Sequence, residues 1–378
     1  MLDGTLVYKL RKIINKTNIF VQDPIEIEKF NLICAVMDRF DDSIKYLNQH
    51  QNVPQNENDI IIYLYHCCII KDGINEVCKM LKIDVRQTKN LLKYAISSPI
   101  NQLASDYKGD DKFFEYLRSL FFAHPFITNR SIPNPIKNEI QYSPYILKRG
   151  FPLFDSMKNA INVKVYSNRR DNFYISIQFN DLQKYINEKF LLINDIINAF
   201  QKIIDNKNIE WKKRKVNRKL PDELILLDII DICNERYIES SDIEEIYDYL
   251  TCKITNQSNK KIVEQYRNEL KEIIPIICDC IDKMDYEKLV YTIYEKTESP
   301  LNEKYPMMNY QLEKIYTYLN YDGYGDTYWG LKMAEAFSKE FAKNWVEIEP
   351  YNMDYNEIKL LVTIACYYES KKDGDQND

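Results

Sequence analysis

The scarcity of helix-breaking residues is the feature that most constrains this chain. Only 8 glycines and 13 prolines occur among its 378 residues. Apolar side chains recur mostly at three- and four-residue intervals, which is the period of an amphipathic helix. We therefore predict a mostly α-helical fold. The chain is longer than the size at which single hydrophobic cores stop growing, so we expect two domains.

The first half of the chain carries the clearest helical patterns. Apolar spacing predicts one amphipathic helix over 24–48, which begins at a proline. Residues 59–70 are apolar on every face and predict a buried helix. Asp84 and Gln87 are typical of a capping box, which would open a further helix that extends to Ile96.

A change of period marks residues 161–180, where apolar and polar residues alternate and predict one β-hairpin. The helical pattern then returns until WKKRKVNRK, residues 211–219, in which six of nine positions are Lys or Arg. We place the domain boundary there. The predicted organisation is an N-terminal segment 1–23, a helical bundle 24–205 that contains the hairpin, a basic linker 206–220, a second all-α domain 221–370 and a disordered tail 371–378.

Composition narrows the class of protein. Hydrophobic residues make up 45% of the chain and charged residues 29%, which is typical of a globular protein. The nine cysteines include no C-x-x-C pair, and Cys278-Asp279-Cys280 lacks nearby partners for a zinc site. The N-terminus does not resemble a signal peptide, and the longest apolar run, 60–70, is too short to span a membrane. We expect a cytoplasmic protein with no membrane segment, metal or cofactor.

The stretch YLRSLFFAHPFITNR, residues 116–130, contains the candidate catalytic residues Arg118 and His124. Histidine titrates near neutral pH and suits proton transfer, whereas arginine is a permanent planar cation that suits a phosphate. In an α-helix, a separation of six residues places two side chains roughly 120° apart and about 9 Å along the axis. One helix therefore does not stack these two side chains as neighbours.

Two long antiparallel helices, shorter helices after them, and a late helix with arginine and histidine four to six residues apart resemble the HEPN superfamily (higher eukaryotes and prokaryotes nucleotide-binding). The resemblance covers about residues 24–150. Many members are ribonucleases of toxin, abortive-infection and antiviral defence systems, and they commonly act as dimers. The resemblance implies a metal-independent endoribonuclease that forms a homodimer through its N-terminal bundle. It implies catalytic roles for Arg118, His124 and Ser119, the last where active members often carry Asn, Asp or His.

A structural interpretation accounts for the same residues. His124 could bond to a carbonyl at its helix end, and Arg118 could pair with Glu115 one turn away. The protein would then be a non-catalytic helical interaction or regulatory module. Of the other histidines, His66 lies in an apolar helix and is predicted to be a core residue, while His50 lies in a polar loop.

Two further groups of residues could bind single-stranded RNA. Thr128 and Arg130 follow the candidate pair closely and could reach a phosphate, although a turn is the alternative. The basic run could neutralise phosphates while its aromatic residue stacks on a base, and a solvated linker is the alternative. The candidates in that run are Trp211, Lys212, Lys213, Arg214 and Lys215. Because the net charge is −6, any such contact must be local.

The stretch YDGYGDTYWG, residues 321–330, gathers three of the eight glycines. It could be a binding loop. The alternative is a turn before a helix capped by Asp326.

Overall fold

The computed structural model describes residues 1–85, 91–96, 102–103, 109–124, 126–128, 137–146, 159–297, 305, 307–319 and 326–374. Helices dominate these residues, so the predicted mostly α-helical fold is confirmed. The chain divides into two compact units, Met1–Asn206 and Lys207–Asp378. The division lies at the start of the predicted 206–220 linker, inside a helix.

Unit 1 combines helices with a small sheet. Its helices are α1 (Thr5–Asn15), α2 (Ile19–Gln22), α3 (Ile27–Gln49), α4 (Glu57–Met80), α5 (Asp110–Arg118), α6 (Phe179–Leu191) and α7 (Ile193–Trp211), the last of which continues into unit 2. Its strands are β1 (Tyr94–Ile96), β2 (Gln102–Leu103), β3 (Ile127–Thr128), β4 (Gln141–Ile146), β5 (Ala160–Ser167) and β6 (Phe173–Gln178). The predicted helix over 24–48 corresponds to α3, and the predicted buried helix over 59–70 is the middle of α4.

The strands form one six-stranded antiparallel sheet in the order β2-β1-β6-β5-β4-β3. The predicted hairpin is confirmed as β5 and β6, but the expectation of a single hairpin is wrong. Three of the missed strands contain only two or three residues, too few for alternation to be visible in the sequence. The helix predicted to reach Ile96 is also wrong at its end, because Tyr94–Ile96 form a strand whose Tyr94 pairs with Ile177 of β6.

Helix α5 is held between the sheet and helix α6. Phe113 stacks on Tyr94 of β1 with ring centroids 3.6 Å apart. The carboxylate of Asp110 accepts hydrogen bonds from the backbone N–H groups of residues 91 and 92, each at 3.1 Å. Asp111 accepts from the Tyr185 hydroxyl at 2.6 Å and from Lys189 Nζ at 2.8 Å. These two carboxylates fix the helix that ends at Arg118.

All regular secondary structure in the described residues of unit 2 is helical. Its helices are α8 (Asp222–Glu235), α9 (Ser241–Thr251), α10 (Lys260–Lys283), α11 (Tyr286–Thr297), α12 (Met308–Tyr318), α13 (Thr327–Glu340) and α14 (Tyr355–Gly374). Asp326 caps α13 by accepting a hydrogen bond from the Trp329 N–H, as predicted, while residues 321–325 lie outside the described residues. Helix α14 extends to Gly374, beyond the predicted domain end at 370, and residues 375–378 are not described. Among the described residues, no helix has both the length and the hydropathy needed to cross a bilayer.

A carboxylate on α10 connects three helices of unit 2. Glu269 accepts hydrogen bonds from Lys371 Nζ at 2.6 Å, from Lys296 Nζ at 3.2 Å and from the Tyr367 and Tyr368 hydroxyls. Burial would raise its pKa, but the hydrogen bonds from Lys371, Tyr367 and Lys296 outweigh burial and lower the pKa to about 2. Glu269 is therefore ionised at neutral pH and holds the ends of α11 and α14 on α10.

Candidate functional site

The candidate pair lies where α5 changes into a π-helix. Helix α5 ends at Arg118, and Ser119–Ala123 continues as one π-helical turn. The backbone N–H of His124 donates to the Ser119 carbonyl at 3.0 Å, which is the hydrogen bond between residues five apart that defines this turn. A π-helical turn inside a helix is rare and often accompanies a functional site.

Arg118 forms an ion pair with helix α4. Its Nη1 donates to Asp72 Oδ2 at 2.9 Å, and both side chains are roughly half exposed. The other oxygen of Asp72 lies 3.4 Å from Nζ of Lys71, a lysine that is itself buried. The structural interpretation paired Arg118 with Glu115, but the structure gives Arg118 the carboxylate of Asp72. Asp72 therefore neutralises one of the two cations that flank it, which leaves this cluster with a net charge of +1.

His124 lies at the exposed end of the π-helical turn. Its backbone dihedral angles, φ −134° and ψ 76°, are not helical, so the helix does not continue through it. Its backbone N–H is the group that bonds to a carbonyl at the helix end. Arg118 and His124 both reach solvent near the end of the same helix, where they are accessible to a ligand.

The structure turns two other candidates inward. Ser119 and Thr128 are buried, and their hydroxyl oxygens lie 2.9 Å apart. Both hydroxyls are therefore directed into the packing between the π-helical turn and β3, away from the surface that exposes Arg118. Arg130 lies outside the described residues.

An apolar groove lies beside Arg118, between α3 and α4. Its volume is about 390 Å³. The groove has an apolar floor, which includes Leu32, Val36, Phe40 and Ile69, and a charged rim of Arg39, Asp72, Glu76 and Arg118. The two cations and two carboxylates of the rim balance. This side of the Arg118 helix is thus an apolar surface with a mixed rim, and it differs from the positive cleft that a polyanion favours.

Gly73 brings the two helices that form the groove close together. A Cβ atom at Gly73 would lie 2.6 Å from Phe40 Cε1 and 3.2 Å from Val36 Cγ1. Cys68 also lines the groove, and burial raises the pKa of its thiol to about 12, with Asp72 raising it further and Arg118 and Lys71 opposing. The thiol is therefore protonated at neutral pH and is a poor nucleophile.

The other two histidines stack on one tyrosine. The rings of His50 and His66 lie 3.9 Å and 4.2 Å from the ring of Tyr46. His66 Nδ1 is 3.1 Å from the Ser43 hydroxyl, and burial lowers the pKa of His66 despite an opposing effect of Asp42. His66 is half-buried, between the core position that we predicted and the surface.

The basic run belongs to unit 2 and is partly ion-paired, which differs from the solvated linker given as the alternative to RNA binding. Arg214 pairs with Asp228 at 3.2 Å and with Glu235. Lys215 Nζ donates to the Asp282 carbonyl at 2.7 Å, and Arg218 lies between the carboxylates of Asp279 and Asp282. The acidic residues of unit 2 therefore neutralise part of this run.

The remaining RNA-binding candidates in the run differ in exposure. Lys212 and Lys213 are exposed, and Trp211 is half-buried with its ring 6.1 Å from that of Tyr237. The Trp211 carbonyl accepts a hydrogen bond from buried Arg236 at 2.9 Å. Lys212 and Lys213 are thus the RNA-binding candidates of this run that remain most accessible.

Sequence reasoning missed Asp72 and Lys71, which fix the local charge around Arg118. A charged pair in the middle of a strongly apolar helical stretch was the available signal, because such residues are seldom buried without partners.

Cys278 and Cys280 are buried free thiols. Within the described part of the chain, no three His, Cys, Asp or Glu side chains are grouped as metal ligands would be.

Comparison of this chain with protein-family models, with curated proteins and with solved structures gives no match.

Proposed function

We propose that unit 1 is an endoribonuclease that cleaves single-stranded RNA, with Arg118 binding the reacting phosphate and His124 transferring a proton. The supporting observation is that both side chains reach solvent at the end of one helix, with Arg118 held by Asp72 at 2.9 Å. The ion pair restrains the guanidinium while 46% of the side chain remains exposed and accessible to a phosphate. The resemblance to HEPN ribonucleases supports the same roles.

RNA supplies the nucleophile for this reaction. The 2′-oxygen attacks the adjacent phosphorus, the bond to the 5′-oxygen breaks, and the products are a 2′,3′-cyclic phosphate and a 5′-hydroxyl. His124 would accept the 2′-hydroxyl proton or donate a proton to the leaving oxygen. Arg118 would stabilise the charge that develops on the phosphate oxygens. Because the attacking group belongs to the substrate, none of these steps requires a metal ion.

Cleavage of labelled single-stranded RNA in EDTA tests the proposal. Wild-type protein should leave 2′,3′-cyclic phosphate ends or their hydrolysis products. His124→Ala should lower the rate roughly a hundredfold or more, through loss of proton transfer. Arg118→Ala should lower it comparably, and Arg118→Lys should remain impaired because lysine lacks the planar fork.

Matched substitutions outside the site provide the controls. His50→Ala and Arg11→Ala remove an exposed histidine and an ion-paired arginine elsewhere in unit 1, and both should leave cleavage unchanged. Cleavage that persists in the Arg118 and His124 alanine variants, or that depends on added magnesium, would contradict the proposal.

The apolar groove favours a second candidate function, a non-catalytic binding module. Its apolar floor and balanced rim suit a ligand with an apolar body better than a bare phosphate chain. An anionic apolar dye such as anilinonaphthalene sulfonate should gain fluorescence on the protein and lose that gain in Leu32→Gln. Ile209→Gln, which changes an exposed apolar residue outside the groove, is the control. Dye binding without RNA cleavage would favour the module.

A further inference from the structure

The sheet of unit 1 has one buried face, and on strands β3 to β5 its opposite face carries exposed aromatic residues. Val163, Val165, Phe173 and Ile175 point to the buried face and have no measurable exposure. Residues between them point to the opposite face, because side chains alternate along a strand. The members of this outer face on β3, β4, β5 and β6 include Ile127, Tyr142, Tyr145, Lys164, Tyr166 and Tyr174.

The exposed members are neighbours across three strands. Ile127 on β3 pairs with Tyr142 on β4, and Tyr142 pairs with Tyr166 on β5. Tyr142 and Tyr166 are 37% and 38% exposed, while Ile127 and Tyr145 are more than half exposed. An exposed row of large apolar side chains on a sheet usually marks a binding surface.

A β-bulge places two tyrosines of β4 on the same face. Tyr142 pairs with Tyr166 and Tyr145 pairs with Lys164, so the register shifts by one residue between them. Without the shift, residues three apart would point to opposite faces. Pro144 lies within the bulge, where the missing backbone N–H is tolerated. The irregularity therefore directs an additional aromatic ring to the outer face.

Lys164 gives this surface a positive centre. It lies between Tyr145 and Tyr174 across the strands, and its Nζ is 5.2 Å from the centre of the Tyr166 ring. Lys164 is the one charged side chain among the described strand residues of the outer face. Glu139, just before β4, is buried and pairs with Arg170 at 2.6 Å.

Further cations lie beside one end of the surface. Lys137 and Arg169 are both exposed, in the segments next to the paired residues Gln141 and Ser167. Asp171 in the β5–β6 turn is the exposed acid there, so this end keeps a positive balance. The charge of the surface therefore complements a polyanion.

We infer that Tyr142, Tyr145, Tyr166 and Lys164, hereafter the tyrosine platform, bind single-stranded nucleic acid. Bases stack on the tyrosine rings, and Lys164 contacts the backbone phosphate. Proteins usually bind unpaired bases on surfaces that combine exposed aromatic residues with cations. Every base has a π-face that can stack on an aromatic ring, and every phosphodiester carries a negative charge. A duplex hides its base faces and should bind less well.

The tyrosine platform would also hold the RNA that the proposed nuclease cleaves. This role in RNA cleavage rests on the proposed function. Ile127 lies three residues after His124, so their Cα atoms are at most about 11 Å apart. An RNA strand that leaves the tyrosine platform across β3 would pass His124, the residue proposed to transfer the proton. Nucleic-acid binding by the platform, however, follows from its own residues and is tested separately from cleavage.

Fluorescence anisotropy with a labelled 2′-O-methyl oligouridine tests the platform on the full chain. The methyl group removes the nucleophile, so the probe reports binding whether or not the protein cleaves RNA. Tyr142→Ala and Tyr166→Ala should each weaken binding roughly 5- to 150-fold through the loss of one stacked base. Tyr142→Phe and Tyr166→Phe should bind like wild type, because they retain the ring. Lys164→Gln should reduce the slope of log affinity against log salt by about 0.7.

Tyr8→Ala is the matched control, since Tyr8 is an exposed tyrosine on α1 of the same unit. It should leave affinity unchanged, and circular dichroism should show every variant folded. Equal affinity of the alanine variants and wild type, or no binding of the probe by wild-type protein, would overturn the platform. Light scattering that shows a dimer lost in the tyrosine variants, without probe binding, would assign the face to a second copy and also overturn it. Probe binding with no cleavage of ordinary RNA would retain the platform and reject the nuclease.

Discussion

Gly73 shows how closely α3 and α4 approach each other. In an exposed helix, replacing glycine by alanine stabilises the fold by about 1 kcal/mol. Here the new Cβ would lie 2.6 Å from the ring of Phe40, which is buried and has little room to move. Overpacking of this kind costs about 1–3 kcal/mol. Because these two effects oppose each other, we expect Gly73→Ala to lower the free energy of unfolding by about 1 kcal/mol, measured by urea denaturation.

Gly4→Ala is the control for this residue-scale prediction. Its added Cβ would lie 3.7 Å from Ile44 Cγ2, an ordinary van der Waals distance. Its stability should therefore change much less than that of Gly73→Ala. Equal or greater stability of Gly73→Ala relative to wild type would show that Phe40 moves aside at little cost.

At the scale of elements, Glu269 ties α11 and α14 to α10. Its pKa of about 2 lies below the ordinary value of 4.5 for glutamate, so ionisation of Glu269 stabilises the folded state. This stabilisation is complete above about pH 4.5 and is lost as the pH falls toward 2. We expect Glu269→Gln to destabilise the protein at pH 7 by about 1–2 kcal/mol, allowing for solvent screening. The difference from wild type should shrink as urea unfolding is repeated from pH 5 to pH 3.

Glu264→Gln provides the comparison on the same helix. Glu264 is largely exposed and its contact with Arg267 is 3.9 Å long, so its removal should change stability little at any pH. A Glu269→Gln variant whose loss of stability is the same at pH 7 and pH 3 would show that the carboxylate acts through packing and not through charge.

Long elements were predictable and short ones were not. Helix α3 and the β5–β6 hairpin extend over enough residues for their periods to show. Strands β1 to β3 are two or three residues long, and β1 also pairs with the distant strand β6, where Tyr94 lies opposite Ile177. Tyr142 and Tyr145 have a helical spacing in the sequence, and a bulge that no local pattern reveals places them on one face. The tyrosine platform could therefore be recognised only from the folded sheet.

At the scale of the whole molecule, the proposed cleavage site predicts a homodimer. In a regular α-helix, a separation of six residues directs Arg118 and His124 roughly 120° apart, so we expect a second copy to supply the complementary residue. Light scattering at micromolar concentration should report twice the mass of one chain. Mixing Arg118→Ala with His124→Ala should restore part of the cleavage, because a mixed dimer retains one intact pair. A monomer, or no recovery on mixing, would remove the shared-site arrangement.

The charge balance of the whole chain also limited what the sequence could predict. The basic run was identifiable as a cluster, but the acids that neutralise it come from other helices of unit 2. Arg214 meets Asp228, and Arg218 meets Asp279 and Asp282, more than 60 positions later. Only folding brings these charges together, so the accessible positive charge of such a run is smaller than its composition suggests.

The π-helical turn at Ser119–Ala123 has a consequence for the history of the chain. Such a turn accommodates one more residue than an α-helical turn, so a single-codon insertion into an ordinary helix would produce it. Deletion of one codon there would restore a regular helix and leave the direction of the residues that follow nearly unchanged, because the wide turn absorbs the extra residue. Arg118 would stay beside Asp72, and His124 would lie one position closer to it in the chain. One codon thus separates a spacing of five residues between the two candidates from the present spacing of six.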